Sequence, residues 1–279
     1  ASLPEIRITY PTVEAFHPDQ WPLDALQEVL SVGKRAPLYK TLVEKYEFAP
    51  ESGVSAYHQN SELAGTFTIR VRANKGIDLD SVRMGIKEAL DDFEKNGFSD
   101  KDLERIKARL ETEFYNSISG VFDKSFQLAF YNEYAGDPGY ISESIANLKQ
   151  VSKEDVMNAY RKYIKNKHSV ITNFVPKGKK ELIISGSQLA DVKEEDITPY
   201  QPSEALAQEE DMAVVKTPSL FDRSVEPEFG KKPLVTPPPI WTDQTSNGIN
   251  VYGIENNELP LVNFSLRLMG GQYLDDPDF

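Results

Sequence analysis

The 279-residue chain contains no cysteine and only three histidines, His17, His58 and His168. Without cysteine it can form no disulfide, iron–sulfur cluster, thiolate zinc site or cysteine nucleophile. Zinc peptidases hold their metal with two histidines one helical turn apart, and none of these histidines has such a neighbour. We therefore interpret all three as ordinary surface or strand residues, and predict neither a catalytic residue nor a metal ligand among them.

Cationic residues and long apolar runs are also scarce. The chain has 31 Lys and Arg against 44 Asp and Glu, a formal net charge of -13. This charge argues against nucleic acid or an anionic membrane surface as a partner, because both attract cationic patches. No run approaches about 18 consecutive apolar residues, the length that would span a membrane. Residues 1–5 have neither the basic n-region nor the apolar h-region of a signal peptide. The endings suggest a fragment of a longer polypeptide.

Motifs for nucleotide binding and for serine nucleophiles are missing. Residues 33–35 lack the upstream glycine and the hydroxyl residue of a phosphate-binding loop, and no GxSxG elbow is present. Asp91-Asp92 and residues 209–211 are candidate paired carboxylates, although such charge runs are usually solvated faces. The aromatic stretch 130–134 is a candidate peptide groove, but aromatics at helical spacing more often belong to the core. The residues alone indicate no reaction.

Alternating and helical patterns predict an α+β fold, with a layer of helices on one face of a largely antiparallel sheet. Strands are predicted at 5–13, 54–59, 64–73 and 168–175, the third with an exposed edge. Helices are predicted after Asp19 as N-cap, over 37–45, over 79–93 ending at Gly97, and after the capping boxes Ser99-x-x-Asp102 and Ser152-x-x-Asp155. The predicted order is β-α-α-β-β-α-α-α-α-β.

Composition divides the chain into three parts. Residues 1–176 carry the regular patterns of one domain. Between Lys177 and Gly230 there are 12 acidic and 6 basic residues, and eight of the 18 prolines fall between Pro199 and Pro239. Such a stretch cannot bury enough apolar surface to fold alone, so 177–240 is predicted to be an acidic, proline-rich linker. Patterning returns at 248–255 and 260–269, which predicts that 241–279 contains two terminal strands, the first of another domain. These strands are expected to pair with the first sheet's edge or with another chain.

Five segments, in order, resemble motifs of the insulinase/pitrilysin (inverted-zincin) zinc metallopeptidases. Residues 30–44, LSVGKRAPLYKTLVE, resemble the family's "iLggGksspLyk.Lve" helix pair, and 98–108, FSDKDLERIKA, its "gvteeeLerak" segment. The turn GDPGY at 136–140 and the helix start VSKEDV at 151–156 resemble "gdpdyl" and "vTaedV". NGINVY at 247–252, followed by ELPLV at 258–262, resembles the opening of a new repeat half.

The resemblance implies a metallopeptidase/LuxS-like fold within a four-domain clamshell of two homologous halves. This chain would be the inactive second domain of the first half, the inter-half linker and the start of the third domain. The zinc motif HxxEH would lie before Ala1 or after Phe279. The chain itself would then bind no cofactor and cleave no peptide, while zinc is implied for the parent enzyme.

One departure from the family pattern concerns an Arg and a Tyr that reach across to the zinc site in the half without zinc. The resemblance aligns Val43 and Pro50 with those positions. Neither side chain can donate a hydrogen bond, so this domain is expected to accompany the zinc half, with the Arg/Tyr pair supplied by the fourth domain. Substrate-binding residues in this chain stay unassigned.

Three functional hypotheses follow. The first is a non-catalytic domain that forms part of the chamber wall and the inter-half contact, with the zinc-binding domain, the second half and peptide substrates as partners. The second is an inactive relative that acts as a scaffold or partner subunit, and the third is an acidic binding module unrelated to proteolysis. A bacterial periplasm or envelope is the expected location, with the cytoplasm as the alternative.

Overall fold

Four antiparallel strands form the sheet that organises the larger part of the chain. In the computed structural model, the structure describes residues 2–189, 222, 224–226, 230–231, 236–268 and 270–271. Two compact units are present, Ala1–Ser187 with Glu258–Phe279, and Gln188–Asn257. The candidate carboxylates at 209–211 lie outside the described residues.

The sheet has the order β2-β3-β1-β4, and every neighbouring pair is antiparallel. Its strands are β1 (Glu5–Thr12), β2 (Val54–Asn60), β3 (Gly65–Arg72) and β4 (Val170–Phe174). The strand predicted at 64–73 is present as β3, but the prediction that it has an exposed edge is wrong. It pairs with β1 on one side and with β2 on the other. Strand order depends on long-range pairing, whereas the alternation that predicted β3 is local.

Two helices precede β2, and five lie between β3 and β4 where four were expected. The first two are α1 (Gln20–Ser31) and α2 (Pro37–Tyr39), which continues as a π-helical turn over Lys40–Lys45. The other five are α3 (Leu79–Asn96), α4 (Asp100–Ser117), α5 (Val121–Tyr134), α6 (Tyr140–Gln150) and α7 (Lys153–Ala159), the last continuing as a π-helical turn over Tyr160–Ile164.

The core lies between one face of the sheet and the helices. Residues two apart on a strand share a face, and the buried set on the inner face is Ile6, Ile8, Phe67, Ile69 and Val71. Helices α1 and α3 contact the sheet on that side, as does the turn that follows α7. The predicted α+β architecture, with helices on one face of an antiparallel sheet, is confirmed.

All but one of the predicted helix caps are present. Ser99 and Ser152 each form the predicted capping box with the aspartate three residues later, and Gly97 ends α3 with φ 62°. The expectation for Asp19 is wrong, because its side chain makes no capping bond. Its carboxylate instead accepts hydrogen bonds from Lys162 Nζ (2.5 Å) and Tyr163 Oη (2.6 Å), and these outcompete a local cap.

Replacing Ser99 by alanine is expected to lower the free energy of unfolding by about 1 kcal/mol, the usual effect of losing an N-cap. Ser99 Oγ accepts from the Asp102 amide at 3.2 Å, and no other side chain takes that place. Urea denaturation followed by circular dichroism measures the change. Ser142→Ala, at an exposed position inside α6, is the control and should leave stability unchanged or slightly higher. Equal losses in the two variants would contradict the assignment of the cap.

The second unit contains a hairpin of its own, β5 (Ile240–Gln244) and β6 (Asn250–Ile254). The hairpin turn places Gly248 at φ 84°, a conformation that favours glycine. The strand predicted within 248–255 is confirmed as β6, whereas its partner β5 lies upstream of both predicted segments. Residues 260–268 adopt no regular secondary structure, although their apolar residues alternate. Alternation alone cannot form a strand, because a strand needs a neighbour to accept its hydrogen bonds.

Candidate interaction surface

Helix α5 carries its apolar residues mainly on the outside. Among its large apolar side chains only Tyr131 is buried, whereas six are exposed: Val121, Phe122, Phe126, Leu128, Phe130 and Tyr134. Single exposed apolar residues are common on proteins, but contiguous ones mark an interaction surface. Helix α5 is therefore the strongest candidate for a functional surface in the described part of the chain.

Four of these residues make up what we call the α5 stripe: Phe122, Phe126, Phe130 and Tyr134. They are four residues apart, so they lie on one side of the helix. The rings of Phe122 and Phe126 are 5.9 Å apart between centroids, and those of Phe130 and Tyr134 are 4.9 Å apart. Both separations are typical of aromatic pairs that attract each other. The stripe presents a rigid aromatic ridge.

A concave site of about 620 Å³ lies beside the stripe. Helix α5 forms one wall, and the turn between β2 and β3 contributes Asn60, Ser61 and Glu62. Asn60 Nδ2 is buried and donates to no acceptor among the described residues. Leu63, at the tip of the same turn, is 87% exposed. An apolar wall with a few polar groups is the usual composition of a binding site for a peptide or an apolar side chain.

Helix α5 contacts an aromatic cluster around Phe16, which Phe130 of the α5 stripe also joins. The Phe16 ring lies 5.0 Å from Tyr140, 5.8 Å from Tyr131 and 5.7 Å from Phe130. Phe16 has φ 66°, an uncommon conformation for a bulky residue that the surroundings must stabilise. The stripe is thus exposed on a helix that contacts the cluster through Phe130 and Tyr131. Of the predicted aromatic stretch 130–134, the structure places Tyr131 inside and both ends of the stretch on the surface.

A hydrogen-bonded chain joins Thr12, His58 and Asp24 in the order expected of a nucleophile, a base and an acid. His58 Nδ1 lies 2.7 Å from Asp24 Oδ1, and Nε2 lies 3.2 Å from Thr12 Oγ1. Burial raises the pKa of Asp24, against the opposing effect of its hydrogen bond with His58. The His58 side chain is 0% exposed, however, so no substrate can reach it. This trio of hydrogen-bonded side chains ties β1, β2 and α1 together. The sequence did not indicate it, because the three residues have no characteristic spacing.

The other histidines and paired carboxylates support no site. His17 Nδ1 accepts from the Asp19 amide at 3.0 Å, and His168 is exposed just before β4. Asp91 pairs with Lys87, and Asp92 accepts from Asn96, both as exposed contacts between successive turns of α3. Within the described ranges no three His, Asp or Glu side chains are grouped so as to hold a metal ion.

Val43 and Pro50 lie on the same connection between α2 and β2. Val43 is half-buried in the π-helical turn and packs against the core, while Pro50 is exposed just before a short 3-10 turn, Glu51–Gly53. Their equivalence to an Arg/Tyr pair stays a prediction.

Among the described helices, none is long and apolar enough to cross a membrane.

Comparison with known proteins assigns this architecture. Residues 2–110, from β1 into α4, match the family described as the peptidase M16 inactive domain. Residues 2–110 are therefore similar to an M16 inactive domain. This confirms the resemblance to the insulinase-type peptidases. A curated relative, the mitochondrial presequence protease of Danio rerio, is 26% identical over 162 residues, which cover 55% of this chain but 16% of that protein.

Solved structures share the fold of the M16 inactive domain. A protease from Helicobacter pylori superposes with a TM-score of 0.56 at 21% identity, over 63% of this chain and 42% of that chain. An inactive peptidase domain from Bordetella parapertussis gives the same TM-score of 0.56 at 20% identity, over 63% of this chain and 93% of that chain. At these identities the likeness concerns the fold alone.

Proposed function

We propose that this chain is a non-catalytic part of a longer zinc metallopeptidase, in which it forms part of a chamber wall and of the contact between the two halves. The α5 stripe carries the proposal. An aromatic ridge on a fixed helix is the kind of surface that a domain of a larger protein buries against its neighbour. The zinc would be held by another domain, because the described residues of this chain offer no ligand cluster.

The C-terminal region supports a further domain in the parent protein. Val262, Phe264, Leu266 and Leu268 alternate along the chain, and all four are exposed. We propose that they form a strand whose apolar face packs in the next homologous domain, and that the boundaries are 1–176, 177–240 and 241–279. The first residues of the linker still contact the domain, since Leu182 and Ile184 are buried and Ser185 donates to Asp80.

The test uses the longer polypeptide that contains this chain. Phe126→Asp places a charge in the middle of the α5 stripe, and we expect at least a tenfold loss of zinc-dependent cleavage of an unstructured peptide, because burying an unpaired carboxylate at the contact costs several kcal/mol. Met84→Asp, at an exposed apolar position on α3, is the matched control and should keep full activity.

Three results separate the alternatives. Full activity of Phe126→Asp would contradict a role for the stripe in the assembly. Chelator-sensitive cleavage by the isolated chain would contradict the absence of a catalytic centre. A parent protein that assembles through the stripe but cleaves nothing would favour the inactive scaffold.

A further inference from the structure

The open face of the four-stranded sheet concentrates its charge in one block. On β1 and β3, Glu5 lies directly opposite Arg72, and Arg7 lies directly opposite Arg70. Because residues two apart on a strand share a face and neighbouring strands are about 4.8 Å apart, all four side chains are adjacent. They are the only charged side chains on the outward positions of the four described strands.

Glu5 sits at the centre of the block and contacts all three guanidiniums. Its Oε1 accepts from Arg7 Nε at 2.7 Å, and its Oε2 accepts from Arg70 Nη2 at 2.8 Å and from Arg72 Nε at 3.2 Å. Glu5 is only 5% exposed. One carboxylate faces three cations, so the block keeps a net charge of about +2 within a chain of net charge -13.

The guanidiniums keep donors for a partner. Each has five N–H groups, and the side chains of Arg7 and Arg72 are 42% and 52% exposed. Arg70 Nε is buried and meets no acceptor in the part of the chain that the structure describes. Within that part, Glu5 is the only carboxylate at ion-pairing distance from any of the three.

One contact within the block is unfavourable for the isolated fold. Arg7 and Arg70 are like charges directly opposite each other on paired strands, which destabilises a sheet. Glu5 offsets one positive charge of the three. Residues that conflict with local stability occur preferentially at functional surfaces.

The surroundings of the block are neutral and suit an extended chain. Tyr57 on β2 and Phe174 on β4 flank it, both exposed, and the Arg7 guanidinium lies 5.2 Å from the centre of the Phe174 ring. The other outward positions are mostly small hydroxyl residues: Ser55, Thr9, Thr66, Thr68 and Thr172. The exposed hydroxyls of Thr66 and Thr172 can donate to backbone carbonyls, whereas the Thr68 hydroxyl is buried and lies 3.1 Å from that of Thr9. The two rings can pack against apolar side chains.

We propose that this arginine face, defined by Arg7, Arg70 and Arg72 with Tyr57 and Phe174, docks a glutamate- or aspartate-rich segment of another polypeptide. The guanidinium fork matches a carboxylate in both charge and geometry. Nucleic acid fits less well, because the net charge of -13 repels a long polyanion, whereas a short peptide meets mainly the local charge. The inference concerns the isolated chain and does not depend on the proposed role of the α5 stripe.

The experiment measures binding of a fluorescein-labelled peptide of about twelve residues, with glutamate alternating with valine and threonine, by fluorescence anisotropy. We expect the chain to bind it, and to bind a version with glutamine in place of glutamate at least tenfold more weakly. Arg72→Gln should weaken binding about fivefold, because it removes the most exposed of the three charges and leaves Arg7 and Arg70 on Glu5. Raising the salt from about 50 to 300 mM should also weaken it.

Lys34→Gln, at an exposed position between α1 and α2, is the matched control and should bind as the wild type does. Circular dichroism checks the fold, and Arg7→Gln provides a second variant if Arg72→Gln does not fold. The proposal would be overturned by equal binding of the glutamine peptide or by unchanged affinity in both arginine variants. Displacement of the peptide by equimolar inorganic phosphate or a short oligonucleotide would also overturn it. The proposal would also be overturned if the chain formed a dimer that dissociates in Arg72→Gln, because the face would then bind a second copy of the chain.

Discussion

Replacing Phe67 by alanine is expected to lower the free energy of unfolding by about 3–5 kcal/mol, the range found when a buried aromatic ring leaves a cavity. Phe67 lies on β3, an inner strand, and is 0% exposed. Its neighbours across the strands are Tyr10 on β1 and His58 on β2. The β3 backbone at Phe67 is fixed by pairing with a strand on each side, so the site cannot close around the missing ring.

The matched control is Phe122→Ala on the α5 stripe, where the same side chain is 75% exposed. This change should alter the free energy of unfolding by no more than about 0.5 kcal/mol. Urea denaturation of both variants at neutral pH measures the difference. A loss of several kcal/mol in Phe122→Ala would show that the stripe is part of the core, and would contradict its role as a docking surface.

This contrast shows what periodicity could and could not predict. The alternation in 64–73 correctly placed Phe67, Ile69 and Val71 on one face, because a strand has only two faces. The aromatic residues of α5 have helical spacing too, but spacing does not reveal whether the favoured side meets another element. Only the packed structure shows that Tyr131 faces inward while the stripe faces out.

Local chemistry was predictable where a few neighbouring residues decide the outcome. The capping boxes at Ser99 and Ser152 and the turn at Gly97 depend on three or four residues, and all three are present. Strand order and long-range contacts depend on residues far apart in sequence. This is why β3 was expected at an edge, and why Asp19 was expected to cap α1 when Lys162 and Tyr163 engage it instead.

The arginine face also depends on contacts between residues far apart in sequence. Glu5 and Arg7 are near each other in sequence, but Arg70 and Arg72 join them only through the register of β1 with β3. A sequence of net charge -13 gives no sign of a local cationic site. The overall charge therefore predicted little about the partners of this surface.

Replacing Glu5 by glutamine is expected to lower the free energy of unfolding by about 2 kcal/mol at pH 7. Removing the partner of a buried ion pair costs about 3–5 kcal/mol, and the partial exposure of the three arginines reduces this through solvent screening. Glu44→Gln, at an exposed position in the π-helical turn, should have no measurable effect.

The loss should depend on pH in a defined direction. Hydrogen bonds from Arg70, against the opposing effect of burial, lower the pKa of Glu5 to about 2 from its ordinary 4.5. Because the folded state favours the ionised form, the stabilisation is complete above about pH 5 and disappears as the pH falls toward about 2. Urea denaturation of wild type and Glu5→Gln at several pH values should therefore show two stabilities that converge in acid. A difference that stays constant from neutral pH to acid would mean that Glu5 stabilises the fold through packing and not through its charge.

Glu5→Gln should also tighten binding of the acidic peptide, since it removes the one negative charge of the arginine face. Opposite effects on stability and on binding would separate the structural role of Glu5 from the docking role of the arginines around it.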